Sequence, residues 1–116
     1  MVKKEERASQ ARKIRVSNSA YKNINDLVDF IAFTQQQPFN AVKVGETIEN
    51  TIEKIGINPY VYKECEQLPT STKIYRQCAC LSWLIIYKIT PKEILILSVI
   101  HGAVNPVKIK KLKKIK

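Results

Sequence analysis

The hydrophobic pattern of this chain changes its period between the two halves, and this change most constrains how the chain folds. From Ile24 to Ile55, the apolar residues recur at the i, i+3, i+4 spacing of amphipathic helices. From residue 73 onward they form short runs rich in β-branched and aromatic residues, which are typical of strands. Because helices and strands are segregated along the chain, the pattern predicts an α+β fold, with an antiparallel sheet packed against a helical hairpin.

The first half contains two predicted helices, each with one apolar stripe and its own end signals. Three consecutive residues offer N-caps for the first helix: Ser17, Asn18 and Ser19. Its stripe consists of Ile24, Leu27, Val28, Ile31 and Ala32. The stripe of the second helix consists of Ala41, Val44, Ile48, Ile52 and Ile55. Pro38 suits the first turn of this second helix, and Gly56 stands where a C-cap is expected.

One strand is predicted before the helices and three are predicted after them. The first is "KIRVS" at 13–17, and the later ones lie at 73–81, 82–89 and 93–100. An irregular connection over 58–71 joins the two halves. The predicted order of elements is therefore β-α-α-β-β-β.

The net charge of +10 is concentrated at the two ends of the chain. Residues 1–15 carry six Lys or Arg and two Glu, and residues 107–116 carry six Lys and no acid. We therefore divide the chain into a basic arm (1–12), one domain (13–106) and a lysine-rich tail (107–116). Such ends suit an anionic partner, either nucleic acid or an acidic protein segment, or they simply keep the protein in solution.

The lysine-rich tail also contains a regular apolar pattern. Ile109, Leu112 and Ile115 recur every three residues, which predicts one or two amphipathic turns lying on a partner. We expect this tail to be dispensable for folding.

Cysteine content and hydropathy indicate a cytoplasmic protein. The odd number of cysteines (Cys65, Cys78 and Cys80) argues against a disulfide framework, and we expect buried or half-buried free thiols. No second Cys/His pair has zinc spacing, so neither a metal site nor a cofactor is predicted. The chain has no apolar run long enough to span a membrane and no signal-peptide pattern.

The order of elements and several stretches of sequence resemble the RelE/ParE superfamily of bacterial toxins from type II toxin–antitoxin modules. The stretches are "SNSAYKNINDLVDFI", "AVKVGETIENTIEKIGINP", Tyr75–Arg76, "WLIIYKI" and "EILILSVIHG". The resemblance implies a small toxin that a co-expressed antitoxin holds inactive. In this superfamily RelE-like members cut mRNA, usually on the ribosome, whereas ParE-like members poison DNA gyrase without being enzymes. We expect mRNA cleavage, with gyrase inhibition or an inactive antitoxin-binding module as alternatives.

Metal-free RNA cleavage requires a base, an acid and a cation placed around one phosphate. Arg76 is the expected phosphate clamp, and His101 the expected acid or base. Tyr87 offers a further hydroxyl or a stacking face. If the last three strands are neighbours, Arg76 and His101 share one concave surface. Five lysines are expected to contact nucleic acid: Lys63, Lys73, Lys108, Lys110 and Lys111.

Each of the three catalytic candidates also has a structural interpretation. Arg76 can pair with Glu64 or Glu66 and anchor the connecting loop. Tyr87 can be a strand packing residue, and His101 can be a solvated residue at a strand end.

The nuclease interpretation is also weakened by an incomplete residue set. RelE-like enzymes that use a Glu–Arg–His set have the Glu shortly after the second helix, where this chain has Tyr60 and Val61. Those that use clustered cations carry more positive charge on the domain than residues 16–106, whose eight basic and eight acidic side chains cancel. The His-Gly strand end also occurs in ParE-like members and does not discriminate.

Overall fold

The structure is a computed structural model that describes residues 12–102 and 106–115. Its strands are β1 (Lys13–Val16), β2 (Tyr75–Cys80), β3 (Trp83–Ile89) and β4 (Glu93–His101). Its α-helices are α1 (Asn18–Asp29), α2 (Pro38–Ile57) and the short α3 (Pro106–Lys110). A π-helix over Phe30–Thr34 extends α1, and 3-10 turns lie at Pro59–Val61 and Lys111–Lys114. The predicted order β-α-α-β-β-β and the α+β class are confirmed, with α3 added after β4.

The four strands form one sheet in the order β1-β4-β3-β2, with both helices of the hairpin between β1 and β2 in sequence. The pairs β2–β3 and β3–β4 are antiparallel, but β1 is parallel to β4. The sheet is therefore mixed rather than wholly antiparallel as expected. The chain between β1 and β4 is long enough for β4 to pair with β1 in either a parallel or an antiparallel orientation. The short hairpins between β2, β3 and β4 force those two pairs to be antiparallel.

Ser17 begins α1 and also fastens it to the sheet. Its side-chain oxygen accepts a 3.0 Å hydrogen bond from the backbone N–H of Ala20, which makes Ser17 the N-cap among the three predicted candidates. The same hydroxyl donates a 3.0 Å hydrogen bond to the carbonyl oxygen of Leu97 in β4. One buried serine thus fixes the entry of α1 relative to the neighbouring strand.

A second contact between α1 and β4 lies where the register of the sheet shifts. The β3–β4 pairing has an irregularity between Ile86 and Tyr87. Facing it, the amide oxygen of Asn23 accepts hydrogen bonds from the Ser98 hydroxyl at 2.7 Å and from the Val99 backbone N–H at 3.1 Å. The extra residue of this irregularity is Leu97, whereas Ser98 and Val99 keep partners in β3, so Asn23 adds a contact from α1 just beyond it.

The helical hairpin covers one face of the sheet, as predicted. All five residues of the predicted α2 stripe are buried, and in the α1 stripe Ile31 is buried and the other four pack against the same core. The strands contribute alternate side chains to this core, namely Cys78, Cys80, Ile85, Tyr87, Ile89, Ile94, Ile96 and Val99.

Gly56 has a different role from the one expected. It lies inside α2, which continues to Ile57 and is followed by Asn58 as C-cap, so Gly56 does not end the helix. A Cβ atom at this position would overlap the side chain of Ile14 in β1. The absence of a side chain therefore lets α2 approach β1 closely.

The opposite face of the sheet is covered by a second core that the sequence did not reveal. It joins four strand residues to Cys65 and Leu68 from the loop and to Ile109 from α3; the strand residues are Tyr75, Ile86, Leu95 and Leu97. Ile109 is only 5% exposed, and Leu112 and Ile115 pack against the same cluster. The lysine-rich segment is therefore not a detached tail: the surface on which its apolar side chains lie is the sheet of its own chain.

The cysteines and the hydropathy of the helices agree with the sequence analysis. All three cysteines are free and buried, as predicted. Within residues 12–102 and 106–115, no helix is long and apolar enough to cross a membrane. The predicted basic arm lies almost entirely in residues 1–11, outside the described part of the chain.

Candidate functional site

Arg76 is held by the loop that precedes β2. Its Nε donates a 2.8 Å hydrogen bond to the Lys73 carbonyl oxygen, and its Nη1 donates to the carbonyl oxygens of Tyr62 at 2.9 Å and Tyr60 at 3.3 Å. The guanidinium also lies 5.2 Å from the centre of the Tyr60 ring. The loop-anchoring interpretation therefore agrees with the geometry, but the partners are backbone carbonyls. Glu64 meets Arg76 through a backbone bridge.

Tyr87 lies in the core rather than at a surface. Its side chain is fully buried, and its hydroxyl donates a 2.6 Å hydrogen bond to the carbonyl oxygen of Pro59. Burial raises the pKa of this phenol well above its ordinary value. Tyr87 can neither stack on a base nor reach a phosphate in this arrangement, so the geometry corrects its assignment as a catalytic candidate.

His101 lies at the other end of the sheet from the Arg76 guanidinium. His101 pairs with Trp83 at the start of β3, whereas Arg76 pairs with Tyr87 four positions further along the same strand. Strand geometry then separates the Cα atoms of Arg76 and His101 by roughly 16 Å. The guanidinium is bonded to Lys73, which precedes β2 and lies away from His101. The structure does not bring these two side chains around one phosphate.

The five predicted nucleic-acid lysines fall into two separate groups. Lys63 and Lys73 lie in the connecting loop, where Lys63 is 3.8 Å from the Glu66 carboxylate and Lys73 has a positive φ of 55°. The other three, Lys108, Lys110 and Lys111, are exposed on α3 and the turn after it.

A cleft that the sequence analysis missed opens beside His101. It has a volume of about 530 Å³ and lies between the helical hairpin and the strand ends. Phe30 and Ile31 come from the π-helix, Leu81 and Ser82 from the β2–β3 turn, and Trp83 and His101 from neighbouring strands; the remaining lining residues are Gln35, Asn40 and Val44.

The π-helix shapes the rim of this cleft. The backbone N–H of Gln35 bonds the Phe30 carbonyl oxygen, and that of Gln37 bonds Ile31, so the last turn of the first helix is wider than an α-turn. Gln36 follows in the left-handed region, with φ 55°. Wide turns of this kind often occur at functional sites.

Exposed apolar side chains also lie on the segments that bound this cleft, and we call this set of residues the apolar tip. It comprises Phe30, Phe33, Phe39, Val42 and Leu81, which are between 51% and 83% exposed. The segments that carry it, 30–42 and 77–87, contain no charged residue, although 26% of the chain is charged. Several large exposed apolar side chains on segments without charge are typical of protein–protein contact sites. The uncharged run at 30–42 is the sequence signal that could have revealed this surface.

Leu81 occupies an unfavourable backbone conformation within the apolar tip. It is the first residue of the two-residue turn between Cys80 and Trp83, and its φ is 56°. Glycine or asparagine is favoured at such a position, and another residue there costs about 1 kcal/mol or more. Strained residues persist preferentially at functional sites. Because the Leu81 side chain is 62% exposed, core packing does not account for it.

The fold and the site together define a small α+β domain with an apolar tip, in which the described residues Arg76, Tyr87 and His101 do not come together. The sequence identifies the family. Residues 14–106 match the model of the ParE toxins of type II toxin–antitoxin systems (parDE), so the chain belongs to this family. It is the toxin component of such a system, and a cognate antitoxin is its partner. The predicted membership of the RelE/ParE superfamily is confirmed.

A solved structure has the same fold. A chain of the chromosomal ParDE toxin–antitoxin system from P. aeruginosa aligns with a TM-score of 0.62 and 14% sequence identity. The alignment covers 79% of this chain and 97% of that one. No curated protein sequence matches significantly.

Proposed function

We propose that this toxin acts by binding DNA gyrase rather than by cleaving mRNA. The observation that carries the proposal is the placement of the expected nuclease residues. Arg76 is bonded to three loop carbonyls, Tyr87 is buried, and His101 lies at the far end of the sheet. Cleavage needs its groups within hydrogen-bond reach of one phosphate, whereas inhibition by binding needs only a complementary surface.

The apolar tip supports a protein target. RNA recognition requires cations for the phosphates, and the segments that form this tip have none. Protein interfaces are depleted of charge at their centre and enriched in aromatic residues. The tip offers Phe30, Phe33 and Phe39 in that setting. Membership of the ParE toxin family agrees with a gyrase target, and such a target places the protein in the cytoplasm.

The experiment uses toxin purified away from its antitoxin, with relaxed plasmid and gyrase. The wild type is expected to block supercoiling and trap gyrase–DNA cleavage complexes, and in cells to induce the SOS response. A variant with Leu81→Ser and Phe39→Ser is expected to lose at least tenfold in inhibition. Ile57→Ser is the matched control, since Ile57 is 82% exposed at the opposite end of α2.

His101→Gln separates the two activities. We expect this variant to remain toxic, because a binding mechanism does not need its proton transfer. Mapped mRNA 5′ ends after brief expression are expected to match those of uninduced cells. New message ends that disappear in His101→Gln would instead establish mRNA cleavage. A wild-type toxin that leaves growth, supercoiling and messages unchanged would indicate an inactive antitoxin-binding module.

A further inference from the structure

The segment after β4 forms a firmly placed basic surface, which we call the basic ridge (residues 106–115). Ile109, Leu112 and Ile115 point into the second core, and this contact holds the ridge against the sheet. Five lysines lie on it, namely Lys108, Lys110, Lys111, Lys113 and Lys114, and all are exposed. The ridge contains no acidic residue. The fold therefore presents these charges at fixed positions.

Nearby acids leave most of this charge uncompensated. Lys108 lines a cleft together with Asp26, but the Asp26 carboxylate is already 2.9 Å from the Lys22 ammonium. Among the described residues, none of the other four ridge lysines has a carboxylate within salt-bridge distance. The uncompensated charge of these groups would attract an anion.

The residue types that the ridge lacks indicate which class of anion it binds. Its periodic apolar side chains pack into the second core. Val107 is the one large apolar residue of the ridge that is exposed. An acidic amphipathic peptide needs an apolar groove in which to fold. Single-stranded nucleic acid is held largely by stacking on aromatic rings, and the ridge has no aromatic residue. The backbone of duplex DNA needs only cations.

We propose that the basic ridge binds the phosphate backbone of duplex DNA without sequence preference. Lysine contacts to phosphates carry no sequence information, and the ridge has no Arg, Asn or Gln to read base edges. This activity goes beyond gyrase inhibition and does not depend on it, because it is measured with DNA alone. This binding would hold the toxin on DNA, which is the substrate of its proposed target, gyrase.

The test measures binding of the full-length toxin, freed of antitoxin, to a fluorescent 30-base-pair duplex over a range of salt concentrations. The ridge variant carries Lys110→Gln, Lys111→Gln and Lys114→Gln. The matched control carries Lys43→Gln, Lys54→Gln and Lys92→Gln, which removes the same charge from exposed sites outside the ridge. Thermal unfolding of both variants confirms that they fold.

We expect the ridge variant to bind at least tenfold more weakly, and the slope of log K against log salt to fall by about three, since each lost phosphate contact removes about 0.9. The control should keep the wild-type slope. An unchanged slope in the ridge variant, or equal losses in both variants, would overturn the proposal. Tighter ridge-dependent binding to single-stranded RNA would overturn the assignment to duplex DNA.

Discussion

The hydroxyl of Tyr87 and the carbonyl oxygen of Pro59 form a 2.6 Å hydrogen bond inside the core. It joins the central strand β3 to the turn that follows α2. Arg76 bonds the next part of the same segment through the carbonyls of Tyr60 and Tyr62. Two residues that resemble catalytic groups in the sequence therefore act together to fix the connection between the helical hairpin and the sheet.

Replacing Tyr87 by Phe should destabilise the fold by about 1–2 kcal/mol, because the buried Pro59 carbonyl would lose its partner. Urea unfolding followed by circular dichroism measures this change. The control is Tyr21→Phe, at a residue that is 56% exposed, and we expect it to be neutral within about 0.5 kcal/mol. Equal stability of the two variants would show that the Tyr87 hydrogen bond contributes nothing net.

The same phenol predicts a dependence of stability on alkaline pH. The pKa of Tyr87 is raised in the folded state by burial, from an ordinary value of 10.0. Above pH 10 the unfolded chain loses this proton while the folded chain keeps it, so stability falls as pH rises. The stability advantage of wild type over Tyr87→Phe should shrink by about 1 kcal/mol between pH 8 and pH 11. A constant difference between the two proteins would contradict this linkage.

Leu81→Gly should stabilise the fold by about 0.5–1 kcal/mol, because glycine relieves the positive φ and little buried surface is lost. The same variant should weaken gyrase inhibition, since it removes an exposed side chain of the apolar tip. The neighbouring Ser82→Gly is the control, because Ser82 has no positive φ, and it should destabilise. Thermal unfolding and supercoiling assays measure the two effects. A Leu81→Gly protein that is less stable would argue against strain at this turn.

Ile109→Asp tests whether the basic ridge belongs to the folded unit. A charge at this buried position should lower the free energy of unfolding by about 2 kcal/mol. The loss is no larger because the segment can detach from the sheet and expose the charge to water. Val107→Asp is the control, at a residue that is 56% exposed. The urea midpoints of the two variants measure their stability. In limited proteolysis, we expect cleavage after β4 only in Ile109→Asp. The same midpoint in both variants would mean that the ridge adds nothing to stability.

The sequence predicts much of the fold because periodicity is a local property. The buried stripe of α2 and the order of the strands follow directly from it. Strand register and direction depend on contacts between distant residues, so the parallel pairing of β1 and the separation of Arg76 from His101 were not predictable. The ridge shows the same limit: the spacing of Ile109 and Leu112 predicted an amphipathic turn, but not that its partner is the sheet of the same chain.

The candidate site was the least predictable feature. Residue chemistry drew attention to Arg76 and Tyr87, whose partners proved to be backbone carbonyls. The apolar tip assembles from two segments far apart in sequence, and leucine at position 81 gives no sign of its left-handed conformation. Only the two uncharged stretches, at 30–42 and 77–87, were visible in the sequence.

The parallel pairing of β1 with β4 also determines the order of events during synthesis. Lys13 pairs with Glu93, so the first strand leaves the ribosome about 80 residues before the strand that it pairs with. Such distant pairing closes slowly, because the loop entropy is lost before the contacts form. The nascent toxin therefore stays incomplete until the last strand emerges. During that interval the hairpin exposes the apolar face that later covers the sheet.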